Sequence, residues 1–151
     1  MTMPARRNKL FPTPDDAETA FYEAFERADL PGMMSVWAEA DDIVCVHPTG
    51  PRLLGFEAVR ESWGQIFAGG SQLRVQTTEV KKFDGQSVAV RSVIEVLSAP
   101  GQQGAPQSVL ATNVYELGDR GWRMVVHHAA PMPDPASTAA DDPPSPGHTL
   151  H

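Results

Sequence analysis

The residues best equipped for chemistry are few. The densest group closes the run Gly121-Trp122-Arg123-Met124-Val125-Val126-His127-His128-Ala129-Ala130-Pro131, a β-branched stretch containing two adjacent histidines. Neighbouring side chains on a strand leave opposite faces, so His127 and His128 cannot converge on one ligand. Alternation groups His128 with Trp122, Met124 and Val126, the more apolar set, and His127 with Arg123 and Val125. The pattern therefore predicts that His128 borders the interior while His127 faces water or a second subunit. A β-bulge within Val125-Val126-His127-His128 would shift the phase by one residue and exchange the two.

A third histidine, His47, stands in Cys45-Val46-His47-Pro48-Thr49-Gly50 and shares a strand face with Cys45 and Ile43. That face is apolar enough to be interior. It suits either a packed histidine bonded to a carbonyl at the strand end or a polar contact in a cavity. Cys45, with no motif around it, reads as a small buried hydrophobe. It is the only cysteine, which excludes an intrachain disulfide and a cysteine-rich zinc site. No metal is expected, because adjacent strand positions cannot both ligate one ion and no His-x-His or His-x-x-x-His spacing occurs. No cofactor is expected either: a Gly-rich phosphate loop, a Gly-x-Ser-x-Gly elbow and a dinucleotide fingerprint are all missing from the sequence.

The elements that must position these residues follow from composition and period. A chain of 151 residues with 41% hydrophobic content supports one domain with one ordinary core. Its formal charge is −7, and because three basic residues near the start offset three aspartates near the end, the acidity belongs to the body. Such a body is poorly suited to phosphate backbones, so no nucleic-acid partner is expected. No apolar run approaches the roughly 20 residues of a membrane helix, and no hydrophobic stretch follows the basic start to make a signal peptide. The expectation is a soluble, cytoplasmic protein with no membrane partner.

Residues 1–13 read as an N-terminal arm whose Leu10 and Phe11 can pack on the domain or on a partner, 14–131 as the domain, and 132–151 as a disordered Pro-rich tail. Thr13 can cap a first helix with Pro14 at its first position. Ala17, Ala20, Phe21, Ala24, Phe25 and Ala28 then line one side and leave Glu18, Glu23 and Arg27 to water. A second short helix begins near Pro31, a short strand carries Cys45 and His47, and a third helix spans about 56–68 with Phe56, Val59, Trp63, Ile66 and Phe67 on its stripe. The period then changes to two, predicting strands over 73–83, 87–98, 108–117 and 122–130 joined by short links. Helices followed by an antiparallel meander make an α+β domain, with the helices on one face of the sheet.

This order, with the phrases FYEAFERADLPGMMSVWAEADDIVCVHPTG, LLGFEAVRESWGQIF and NVYELGDRGWRMVVHHAAP, resembles the SnoaL-like and ketosteroid-isomerase-like branch of the nuclear transport factor 2-like superfamily. The resemblance covers about residues 15–131 and carries no catalytic signature. It implies a cone-shaped half-barrel, three N-terminal helices packed on a strongly curved antiparallel sheet, enclosing a mainly apolar cavity and usually forming a homodimer. Members include isomerases, epoxide hydrolases, polyketide cyclases and dehydratases, so fold does not settle function. Isomerase-type members set a carboxylate base opposite a tyrosine or acid that stabilises an enolate. The candidates for such a pair are Asp41, Asp42, Glu95, Tyr22 and Tyr115. Asp41 and Asp42 read first as turn residues, and Glu95 first as the partner of Arg91 in an ion pair on one sheet face.

The resulting expectation is a homodimer that binds a small, mostly apolar molecule in the cone, lined by Phe21, Trp37, Cys45, His47, Trp63, Asn113, Tyr115 and His128. An enzyme version, an isomerase, cyclase or hydrolase acting on a small carbonyl or polyketide-like compound, would use His128 or His47 as acid/base and Tyr115 or Asn113 as donor to a carbonyl oxygen. The alternative is a non-catalytic dimeric protein-interaction module whose cone is filled by its own side chains. Apolar residues in both phases of 87–98 predict that a dimer joins through the outer sheet face.

Overall fold

In the computed structural model, which describes residues 10–70, 73–101 and 104–133, the Thr13 side chain accepts a hydrogen bond from the Asp16 backbone N–H and starts α1 (Pro14–Arg27). Asp15 and Asp16 in its first turn and Arg27 in its last complement the helix dipole. The Asp29 carboxylate caps α2 (Leu30–Val36) by accepting the Gly32 N–H at 3.0 Å. Then come β1 (Val44–Val46), β2 (Arg52–Leu54), α3 (Phe56–Ala68), β3 (Arg74–Asp84), β4 (Val88–Ser98), β5 (Gln107–Gly118) and β6 (Gly121–Pro131). The periods place these helices and long strands to within about a residue, and no helix interrupts the described residues from 73 to 130.

The six strands form one curved, unclosed sheet in the order β2-β1-β6-β5-β4-β3. All neighbours are antiparallel except β1 and β6, which run parallel with Cys45 opposite His127. The meander reading covers β3 to β6 and misses this insertion of β1. Two bulges bend the long strands. On β3 the register slips between Thr78 and Lys81, where Glu79 adopts φ 50°. On β6, Val114 pairs with Val126 but Tyr115 with Met124, so Val125 is the extra residue.

The helices cover the concave face. Ala89, Arg91, Val93 and Glu95 of β4 and Val109, Ala111, Asn113 and Tyr115 of β5 alternate inward and are buried. Val109 and Ala111 pack with Ala129 in a small cluster, and Ala89 and Tyr115 join a larger core built around Phe21, Met33, Trp37, Val59 and Trp63. Each such large apolar side chain contributes about 1.5–3 kcal/mol on burial. Phe11 joins this core while Leu10 stays exposed, so only one of the two arm residues packs. Gly121 makes the docking feasible: at φ 88°, a Cβ there would lie 2.5 Å from the Phe11 carbonyl oxygen. The Trp122 N–H donates to that oxygen at 2.9 Å. The rest of the arm, residues 1–9, and the tail from 134 onward lie outside the described residues.

Arg91 ties α1 to the sheet. It is 1% exposed and pairs with Asp15 at 2.9 Å, with Glu18 at 3.5 Å and with Asp84. Two expectations are corrected here. Glu18 turns inward instead of facing water, and Arg91 is satisfied by α1 and β3, which leaves Glu95 free of the expected ion pair.

Candidate functional site

The extra residue at Val125 decides which histidine enters the cone. Trp122 and Met124 point inward, the bulge consumes one position, and His127 and Ala129 continue the inward face. His127 is 1% exposed and His128 is exposed on the outer face, the reverse of the unbulged alternation. His128 is therefore corrected from cavity wall to outer face, where an acid/base role inside the cone has no geometry to support it.

Across the sheet, Cys45, His127, Asn113 and Arg91 stand in one register row. The next inward row holds Ala129, Ala111 and Val93, and beyond it stand Val109 and Glu95. The row between carries only the small side chains of Ala111 and Ala129 beside Val93, and Tyr22 of α1 bridges the two polar rows. Its hydroxyl donates to Glu95 Oε2 at 2.7 Å and accepts from Asn113 Nδ2 at 2.8 Å. Asn113 Oδ1 meets His127 Nδ1 at 2.6 Å. An amide oxygen is an acceptor, so His127 carries its proton on Nδ1 and leaves a lone pair on Nε2. The hydrogen bonds run in one direction, from His127 through Asn113 and Tyr22 to the carboxylate.

Burial pushes the Glu95 carboxyl up to about 7, although the Tyr22 hydrogen bond draws it down. Burial, with smaller contributions from His47 and His128, holds His127 down at about 3, so its imidazole is neutral in water near neutrality. The Tyr22 phenol lies well above its ordinary value, first through burial and then through the Glu95 charge, and stays protonated. Among the candidates that the sequence named, Glu95 is thus the one carboxylate poised near neutral pH. Asp41 and Asp42 are exposed turn residues.

An aromatic cluster closes over His127. Phe21 lies 5.0 Å from it between ring centroids and Trp63 6.0 Å, while Trp63 packs edge-on against His47 at 4.8 Å. His47 Nε2 meets the Ser62 hydroxyl at 3.0 Å, and that hydroxyl donates to the Val59 carbonyl, so His47 is held by α3 instead of by a strand-end carbonyl. Burial lowers its basicity, and burial pushes the Cys45 thiol up to about 12. Among the described residues the buried Trp63 Nε1–H has no hydrogen-bond partner, a donor left for an oxygen atom. Of the expected lining, Phe21, His47, Trp63 and Asn113 gather here, with Cys45 beneath them. Tyr115 instead lies toward Glu18 and Arg91, its buried hydroxyl without a partner among the described residues, and Trp37 packs by Met124. A separate cavity of about 530 Å³ opens at the start of α3 between Glu39, Asp41, Leu54 and Phe56, and none of the expected lining borders it.

Tyr22 was weighed from sequence, but its partners were not. Nothing in the period says which strand residue α1 will reach, and His127 was hidden by the bulge. Chemically, the arrangement offers a carboxylate able to exchange a proton near neutrality in apolar surroundings, with a fixed phenol beside it. Because Tyr22 already donates to Glu95, its hydroxyl is not free to stabilise an enolate oxygen.

An α+β cone with a buried carboxylate under its first helix is a ligand-holding architecture found with many activities. Residues 15–135 match the SnoaL-like domain, and the chain belongs to that family. It is similar to a Thiobacillus denitrificans protein provisionally named a calcium/calmodulin-dependent protein kinase type II association domain, with 42% identity and a TM-score of 0.77 over 83% of this chain and 99% of that one. It is also similar to a provisionally named dehydratase of the nuclear transport factor 2-like family from Streptomyces avermitilis, with 33% identity and a TM-score of 0.71 over 81% and 100% of the two chains. A ketosteroid isomerase-like protein from Erwinia carotovora atroseptica shares the fold at 16% identity and a TM-score of 0.61, over 80% of this chain and 94% of that one. A curated relative, the F-box protein SKIP8 of Arabidopsis thaliana, is 26% identical over 117 residues, 76% of this chain and 47% of that protein. The chain spans about half the length of that relative. Among the described residues no helix is long and apolar enough to cross a membrane.

Proposed function

We propose that this SnoaL-like domain holds a small, mostly apolar carbonyl compound beneath α1 and moves a proton on it, with Glu95 as acid/base. One observation carries the reading: a carboxylate 2% exposed which, among the described residues, has no ion pair and is bonded only by Tyr22 is costly to keep unless its proton affinity is used. Tyr22 orients Glu95, and the unpartnered Trp63 N–H supplies a donor for the carbonyl oxygen. The isomerase-like and dehydratase names among the structural neighbours are consistent with proton transfer next to a carbonyl. His47 stays a wall residue, since Ser62 occupies one ring nitrogen and burial keeps the ring neutral.

The test is exchange of α-protons for deuterium in a panel of small cyclic ketones, followed by NMR in heavy water. The expected result is catalysis by the native chain and a loss of about 10²–10⁴-fold in Glu95→Gln. Exchange no faster than buffer for every ketone, or an undiminished rate in Glu95→Gln, would remove this role.

A specific observation also favours a second reading, a dimeric module. Phe83, Val90, Val114, Val126, Val44 and Leu54 follow one another in register across all six strands on the outer face. Phe83 is 64% and Leu54 50% exposed, an apolar row that a second copy would cover. The two readings are compatible, since the row and Glu95 lie on opposite faces of the sheet.

A further inference from the structure

Each contact in the series Glu95, Tyr22, Asn113, His127 holds one proton, and each can be satisfied in either direction. The Tyr22 hydroxyl rotates, the Asn113 amide can turn over with its oxygen and nitrogen trading places, and an imidazole has two neutral tautomers. An ionised Glu95 allows one direction alone. The carboxylate only accepts, so Tyr22 donates to it, Asn113 donates to Tyr22, and His127 donates from Nδ1 to Asn113.

A proton arriving at Glu95 has two places to go. Oε1 makes no hydrogen bond among the described residues, so a proton there has no established protein partner. On Oε2 it can donate to the Tyr22 oxygen, provided that Tyr22 turns its own proton to Asn113. Asn113 must then present its oxygen to Tyr22 and its N–H to His127 Nδ1, which has to be bare.

We propose that these four side chains form a reversible relay: protonation of Glu95 reverses all three hydrogen bonds and moves the His127 N–H from Nδ1 to Nε2. The protons balance. One enters at Glu95, Tyr22 keeps its one and Asn113 its two, and His127 gives its Nδ1 proton to water and takes one from water at Nε2. Only the Asn113 oxygen and nitrogen trade places: the contacts of 2.7 and 2.8 Å suit both directions, and the 2.6 Å contact lengthens when it becomes N–H···N. His127 thereby reports on Glu95 from the far end of the series. It offers the aromatic cluster an acceptor when Glu95 is charged and a donor when Glu95 is neutral.

This deepens the reading of Glu95 as acid/base and rests on it for the ligand. The charged site suits a ligand hydroxyl at His127 Nε2, and the neutral site suits a carbonyl oxygen. Among the described residues no other charged group interrupts the series. On α1, Glu18 turns to Arg91, and Glu26 accepts the Val75 N–H at 3.0 Å. On β3, Thr77 stands opposite Glu95. On β1, His47 is engaged with Ser62 of α3, and on β5 Tyr115 lies toward Arg91. The neighbouring His128 of β6 points outward.

The experiment is an NMR titration of the full chain from pH 5 to 9, labelled with nitrogen-15 in histidine and carbon-13 in the glutamate carboxyl. His127 Nδ1 should change from an N–H-bearing to a bare nitrogen as pH falls, with the same midpoint as Glu95 and without passing through a charged imidazolium. In Asn113→Leu, Glu95 should still titrate while the His127 tautomer no longer follows it. A single His127 tautomer throughout the Glu95 titration, a Glu95 that does not titrate in this range, or coupling that survives Asn113→Leu would each overturn the relay. A coupled titration in a protein that exchanges no ketone protons would keep the relay and remove only the proposed function.

Discussion

Asn113 and His127 oppose each other on β5 and β6, and their side chains meet at 2.6 Å on the concave side of the sheet. Through that contact a histidine on the last strand is joined to Tyr22 on the first helix and to Glu95 on the fourth strand. The pairing exists because Val125 is spliced into β6. Were Val125 an ordinary strand residue in unbroken alternation, His128 would take the inward position.

Substituting the two histidines separates these environments. His127→Ala removes a buried ring, leaves Asn113 Oδ1 unpaired and should cost about 2–4 kcal/mol in urea unfolding. His128→Ala, on the outer face, should change the monomer's stability by no more than about 0.5 kcal/mol. Equal losses would mean that the bulge is misplaced.

Much of the architecture was legible. Phe21, Phe25 and Trp63 fall at helical spacing and the long strands at a period of two, so three helices on an α+β sheet follow from burial alone. Less legible were the features that bend the sheet. A bulge at Val125 leaves no mark in a run of valines, and the charged Arg123 beside it suggested an exposed phase. The structure stacks that guanidinium 5.0 Å from the Phe11 ring centre instead. Glu95 was misread for a different reason. Arg91 is four residues away on the same strand face, yet α1 brings Asp15 and Glu18 to Arg91 and Tyr22 to Glu95. Which helix residue sits over which strand is a tertiary fact.

Stability should depend on pH through two opposed groups. Glu95 rises from 4.5 to about 7 on folding, so its contribution is full below about 4.5 and is lost as pH rises toward 7. At about 1.4 kcal/mol per pH unit this amounts to about 3 kcal/mol. His127 falls from 6.5 to about 3, so its contribution is full above 6.5 and is lost as pH falls toward 3. Glu18 adds to the first trend and His47 to the second. Between about pH 4.5 and 6.5 the two offset each other, and unfolding midpoints of the native chain should be nearly flat. In Glu95→Gln the two histidines outweigh what Glu18 still contributes, and stability should rise with pH across that window. A falling curve in the variant would contradict the assignment.

Arg91 should be a structural anchor with no substitute. Arg91→Ala removes a buried guanidinium and leaves the half-buried Glu18 carboxylate uncompensated, and should cost about 2–4 kcal/mol in denaturant unfolding. Arg91→Lys should recover only part of this, because one ammonium cannot reach Asp15, Glu18 and Asp84 together.

For the outer face, sedimentation at micromolar concentration should give a dimer for the native chain and a monomer for Val114→Glu, which places a charge in the middle of the apolar row. A native monomer would set the dimeric reading aside without touching Glu95.

The most direct measurement is the infrared difference spectrum of the Glu95 carboxyl, native minus Glu95→Gln, followed against pH. We expect the protonated carboxyl to persist to a midpoint near 7, and Tyr22→Phe to move that midpoint higher by removing the bond that favours the charged form. A midpoint in the ordinary glutamate range, near about 4.3, or one that Tyr22→Phe leaves unmoved, would show that Glu95 is not the buried acid/base on which the proposed function depends.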